Sequence, residues 1–134
     1  MPRRTASDLR NKKFLLIFTG LALASIIFLT PFCGLMYQCG CTTLWSGGAQ
    51  QCNVYHETGP HCPWCKTGKN PILGLVPVFG ILVGQALSVF YFSKNGKSGH
   101  VKLVIVGFLA FWFFGLLFGY VYKNIYDYPH FFFD

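Results

Sequence analysis

Six cysteines, Cys33, Cys39, Cys41, Cys52, Cys62 and Cys65, fall within one stretch of the chain, and none lies outside it. An even number of thiols in so short a segment supports two cross-linking chemistries. In an oxidising compartment the six pair as three disulfides, each contributing about 2–4 kcal/mol, mainly by restricting the unfolded loop. This is the leading expectation, with the connectivity open because six cysteines pair in many ways. Alternatively, Cys39-x-Cys41 and Cys62-x-x-Cys65 supply four thiolates to a tetrahedral ion, zinc ahead of copper, and Cys33 and Cys52 form a single disulfide. His56 and His61, in the segment His56-Glu57-Thr58-Gly59-Pro60-His61, are further candidate ligands. A lone loop histidine is nevertheless more often solvated than metal-bound.

A third chemistry is redox exchange at Cys62-Pro63-Trp64-Cys65. These four residues resemble the CPxC centre of glutaredoxin-like proteins, which implies a low-pKa thiolate attacking a disulfide. Their place before an apolar run is also similar to that in membrane disulfide-forming enzymes, which implies a quinone as electron acceptor. Those enzymes generally use four helices and this chain offers three. Around the cysteines, Gly34, Gly40, Gly47, Gly48, Gly59, Pro60 and Pro63 favour turns, and Trp45 and Trp64 are the available apolar filling. A loop this small cannot order itself by burial alone, so some cross-link is required.

The elements that hold this loop are apolar. The 134 residues are 53% hydrophobic, 19% aromatic and 11% charged, against roughly 25% charged in soluble domains. Uncharged runs at 14–32, 71–92 and 103–122 each match the roughly 20 helical residues needed to cross a bilayer. Only helices satisfy their own backbone in lipid without closing a barrel. The expected fold is therefore an all-α integral membrane protein: three transmembrane helices with a Cys-rich irregular extracytoplasmic loop. The first run is longer than the apolar part of a cleaved signal peptide, and no Ala-x-Ala-like site follows it, so its retention is expected.

Charge sets the expected direction. Of the eleven Lys and Arg residues, Arg3, Arg4, Arg10, Lys12, Lys13, Lys94, Lys97 and Lys102 fall at one side, against Lys66, Lys69 and Lys123 at the other. The positive-inside rule places the basic N-terminal segment (1–13) and the connector (93–102) in the cytoplasm of, most simply, a bacterial inner membrane. The loop 33–70 and the aromatic tail 123–134 then lie outside, the tail as an interfacial anchor. The net charge of +7 is thus an orientation signal; no basic stripe interleaves with aromatics as a nucleic-acid surface needs.

Small residues four apart (Gly20 and Ala24; Gly80, Gly84 and Ser88; Gly115 and Gly119) mark faces where helices can approach closely. Pro77 should bend the second span. Gln85, the main polar side chain deep in a span, should bond across helices. No Asp, Glu, Lys or Arg sits in mid-span, which speaks against a proton pump or ion-coupled transporter. Phe108, Phe111, Trp112, Phe113, Phe114 and Phe118 cover more than one helical face, so some must meet lipid, pigment or protein. With no phosphate loop, Ser-His-acid signature or haem-attachment motif, a non-enzymatic role is expected. The chain reads as a small accessory subunit of a larger membrane complex, with an energy-converting one as a candidate host. It would dock through its helices and present the cross-linked loop to an extracytoplasmic protein partner. The alternative is a thiol-redox or metal-handling protein.

Overall fold

The computed structural model describes residues 6–68, 71–94 and 99–132, so Arg3, Arg4, Lys69 and Lys97 lie outside the described residues. Four helices follow one another: α1 (Ala6–Tyr37), α2 (Pro63–Gly68), α3 (Pro71–Lys94) and α4 (His100–Tyr126). Single turns of 3-10 helix occupy Leu44–Ser46 and Asn53–Tyr55, and the described residues contain no strand. Lys12–Tyr37, Leu73–Lys94 and His100–Tyr126 are long and apolar enough to cross a membrane. Their outer side chains demand it: Leu16, Leu23, Leu87, Phe108 and Phe113 are each more than half exposed, an apolar surface that only lipid or another protein can cover. The chain is an integral membrane protein.

The small residues receive neighbouring side chains. Gly80 and Gly84 on α3 lie under the rings of Phe118 and Phe114 from α4; Gly107, Gly115 and Gly119 on α4 take Leu21, Phe32 and Met36 from α1. Any side chain at these positions would overlap the incoming group, which is why the spacing of small residues recurs. Gly20 has open space around it. Gln85, only 1% exposed, donates from Nε2 to the Gly107 carbonyl at 3.0 Å, and its Oε1 lies 3.0 Å from the Ser25 hydroxyl. One amide therefore links α1, α3 and α4, as a buried polar group in lipid must.

The two ends of the bundle differ. At one, Phe14 meets Phe90 edge-on at 5.9 Å, with Lys94 over Phe90 and Lys102 over Phe92. At the other sit all six cysteines and the chain that follows α4. The first helix runs beyond the expected span, through Pro31 to Tyr37, so Cys33 belongs to a helix. Proline at that position removes one bond, to the Ile27 carbonyl, while burial of Met36 and Tyr37 holds the following turn. The aromatic tail is also more than an anchor. After Asp127 ends α4 in the left-handed region (φ 49°), the chain turns back and buries Tyr128. The Phe132 N–H donates to the Met36 carbonyl at 2.8 Å.

Candidate metal centre

Four features of the local chain bring the cysteines together. α1 carries Cys33, and next to it Gly34 lies so close to the Cys41 carbonyl that a Cβ would overlap it; the loop returns directly against the helix. Gln38 leaves the helix with φ 51°, and Gly40, at φ 83°, turns the chain between Cys39 and Cys41 against the Gln51 carbonyl. Asn53 then clamps three segments. Its N–H donates to the Cys39 carbonyl (2.8 Å), its Oδ1 accepts from the Cys62 N–H (2.7 Å), and its Nδ2 donates to the Tyr128 hydroxyl (2.7 Å). Finally α2 starts at Pro63, a favoured first helical residue. It sets Cys62 just ahead of the helix and Cys65 in its first turn, with the Lys66 N–H donating to the Cys62 carbonyl at 2.8 Å.

The sulfurs form one cluster. Cys33 Sγ lies 3.7 Å from Cys39 Sγ and 3.3 Å from Cys62 Sγ; Cys41 Sγ lies 3.4 Å from both Cys39 Sγ and Cys65 Sγ. Two quartets, Cys33–Cys39–Cys62–Cys65 and Cys39–Cys41–Cys52–Cys65, each have every sulfur within 4.8 Å of the others, a spacing that could hold a metal ion. Four sulfurs around zinc at about 2.3 Å would be spaced by about 3.8 Å along a tetrahedral edge. All six are free cysteines, and the three disulfides expected from the sequence find no support here. Cys52 and Cys62 are fully buried and Cys33, Cys39 and Cys41 nearly so.

This arrangement redraws the ligand set read from the sequence. Cys39, Cys41, Cys62 and Cys65 all belong to the cluster, but not as one quartet: Cys62 stands with Cys33, and Cys41 with Cys52. Cys33 and Cys52, expected to bridge to each other, are divided between the quartets. Neither quartet includes a histidine; His56 is exposed, and His61 turns Nδ1 to the Asn53 carbonyl at 3.0 Å. Trp64 packs beneath the cluster, edge-on to Tyr37 at 5.9 Å and near Phe32 at 6.2 Å. Trp45, also expected as filling, is 75% exposed. The clamp formed by Asn53 and Tyr128 had no sequence signal, since asparagine in a Gly-rich loop equally marks an ordinary turn.

Tyr128 passes the clamp on to α1: its hydroxyl donates to the Tyr37 carbonyl at 3.1 Å. The Tyr37 hydroxyl in turn donates to the Gly119 carbonyl at 2.7 Å. Burial pushes the Tyr128 hydroxyl up to about 12, keeping it a donor at any physiological pH. Among the thiols, contact with Cys33, then Cys41, Cys52 and Cys62, holds Cys39 well below the ordinary thiol range. Contact with Cys33, Cys39, Cys41 and Cys52 pushes Cys65 well above it. Six thiols in mutual contact cannot all ionise unless a cation joins them. A cavity of about 140 Å³ lined by Thr30, Cys33, Cys41, Ala49, Cys65, Gly74 and Pro77, among others, gives an ion or small molecule access to these sulfurs.

No protein family, curated protein or solved structure matches this chain.

Proposed function

We propose that the chain is a non-enzymatic membrane subunit whose end cap is cross-linked by metal–thiolate bonds, with zinc as the metal. The observation carrying this reading is the largely buried sulfur cluster in which every quartet member is a cysteine. Structural zinc sites take four protein ligands, commonly four cysteines, whereas catalytic ones keep a position for water or substrate. Iron–sulfur clusters are a poorer fit, because inorganic sulfide between the irons would spread the thiolates beyond these spacings. The bond energy would serve order: apparent zinc affinities of thiolate sites correspond to about 10–16 kcal/mol, ample to fix a loop with so little apolar filling. By the lysine and arginine bias the cap lies outside the cytoplasm, where coordination would also shield six close thiols from oxidation. The lipid-facing helices would dock a larger membrane assembly, with Leu44, Trp45 and Tyr55 exposed on the cap for a partner.

The redox alternative is less well served. A catalytic CxxC attacks through an accessible thiol, whereas Cys62 is fully buried.

The deciding experiment is thiol counting on protein purified in mild detergent without reductant. Almost no cysteine should react with an alkylating agent until a strong chelator is added, after which all six should react, with zinc released. Thiols that stay blocked in chelator and open only with reductant would replace metal by disulfides. Migration of the solubilised chain as a monomer of 15.1 kDa would remove the subunit assignment.

A further inference from the structure

The two quartets are not independent, because Cys39 and Cys65 belong to both. Resting on the metal reading above, we infer that the cap holds two divalent ions in one binuclear centre, with Cys39 and Cys65 as bridging thiolates. Cys33 and Cys62 are then terminal ligands to the first ion, and Cys41 and Cys52 terminal ligands to the second.

The sulfur contacts follow this partition. The four hydrogen-bonding contacts of 3.3–3.7 Å, Cys33–Cys39, Cys33–Cys62, Cys39–Cys41 and Cys41–Cys65, each join two members of a single quartet. None of them joins a terminal ligand of one ion to a terminal ligand of the other. A bridging sulfur must lie close to both terminal sets: Cys39 lies 3.7 Å from Cys33 and 3.4 Å from Cys41, and Cys65 lies 3.4 Å from Cys41 and within 4.8 Å of Cys33 and Cys62.

Charge favours the second ion. One divalent ion with four thiolates carries a formal charge of minus two and leaves two buried thiols without a role. A second ion adds two positive charges while the remaining two thiols lose their protons, so the formal charge stays at minus two. Filling the second site therefore adds no net charge to a cap at the edge of lipid, where charge is expensive. Each step balances: a divalent ion enters as its hydrate, its waters leave, and the thiols that bind it release their protons to solvent. No electron is transferred. Thiolates suit this role because they are soft ligands to zinc.

The test uses the full-length protein in detergent, stripped by chelator under reductant and reloaded with Zn(II) alone. Elemental analysis should find two ions per chain. One ion per chain would overturn the binuclear centre and leave the metal cap standing; none would overturn both. Reloading the same protein with Co(II) supplies an independent readout that needs no variant. Thiolate-bridged high-spin ions couple magnetically, so the paramagnetic resonance signal should rise to one equivalent and fall by more than half at two. A signal that doubles from one equivalent to two would show unbridged ions and overturn the assignment of Cys39 and Cys65. Among variants, Cys52→Ser should lower the retained zinc from two ions to one, and Cys33→Ser likewise, while Cys65→Ser should weaken both. Equal losses from Cys52→Ser and Cys65→Ser, in protein that still folds by its helical circular dichroism, would also refute shared ligation.

Discussion

Asn53→Ala is the substitution that tests how the cap is held. The alanine removes the acceptor for the Cys62 N–H and the donor to the Tyr128 hydroxyl, both at 2.7 Å. Cys62 is fully buried, so its amide loses the Asn53 side chain in a place that water does not reach; leaving such a group unmade costs about 1–3 kcal/mol. Tyr128 loses less, about 0.5–1.5 kcal/mol, because it can still donate to the Tyr37 carbonyl. Together the change should weaken the cap by about 1.5–4.5 kcal/mol, a roughly 10-fold to thousand-fold rise in its opening equilibrium at about 1.4 kcal/mol per decade. Hydrogen exchange of detergent-solubilised protein reads this directly, since local opening sets the rate at protected amides. Peptides covering 52–65 should exchange at least about 10-fold faster, while those from the middle of α3 and α4 stay unchanged. Asn53→Asp keeps the acceptor for Cys62 and should show a smaller acceleration. Rates over 52–65 within threefold of the parent in Asn53→Ala would refute the clamp.

Three further outcomes follow from the packing. Gly34→Ala should destabilise by about 1–3 kcal/mol, because its methyl meets the Cys41 backbone, whereas Gly20→Ala, into open space, should be neutral or gain up to about 1 kcal/mol; thermal unfolding with chelator-accessible zinc as the probe distinguishes them. Gln85→Leu should cost only about 0.6 kcal/mol, the average of an interhelical bond in lipid, and a loss above about 2 kcal/mol in steric-trap or denaturant unfolding would mean that the three-helix junction does more than join helices. An impermeant amine reagent applied to intact cells should modify Lys66 and Lys123 and spare Lys12 and Lys94; the reverse pattern would place the cap in the cytoplasm.

The membrane helices were legible because length and lack of charge are one-dimensional properties. Their ends were less so. The turn Cys33–Tyr37 reads as loop because it lies past the uncharged run and opens the cysteine cluster, yet burial of Met36 and Tyr37 outweighs the bond that Pro31 removes. The cysteine cluster was legible as a whole and its partition was not. Which sulfurs stand together depends on the left-handed backbone at Gln38 and Gly40 and on Asn53 holding Cys62, none of which spacing encodes. Assigning Cys33 to a disulfide with Cys52 followed from counting the thiols left over, a count that fails once two thiols can serve twice. The tail was read from its aromatic composition as an interface anchor, but Tyr128 and Phe131 pack on Tyr37.

The bond between the Gln38 amide and the Phe132 carbonyl, 94 positions apart in the chain, fixes an order of biosynthesis. Residues that close the cap leave the ribosome roughly 5–20 s after Cys33, at about 5–20 residues per second. Until then the Cys33 sulfur waits without Tyr128 to cover the neighbouring Tyr37. Metal captured early would sit in a half-built site. Delivery timed to the arrival of the last helix would let loading and closure proceed as one event.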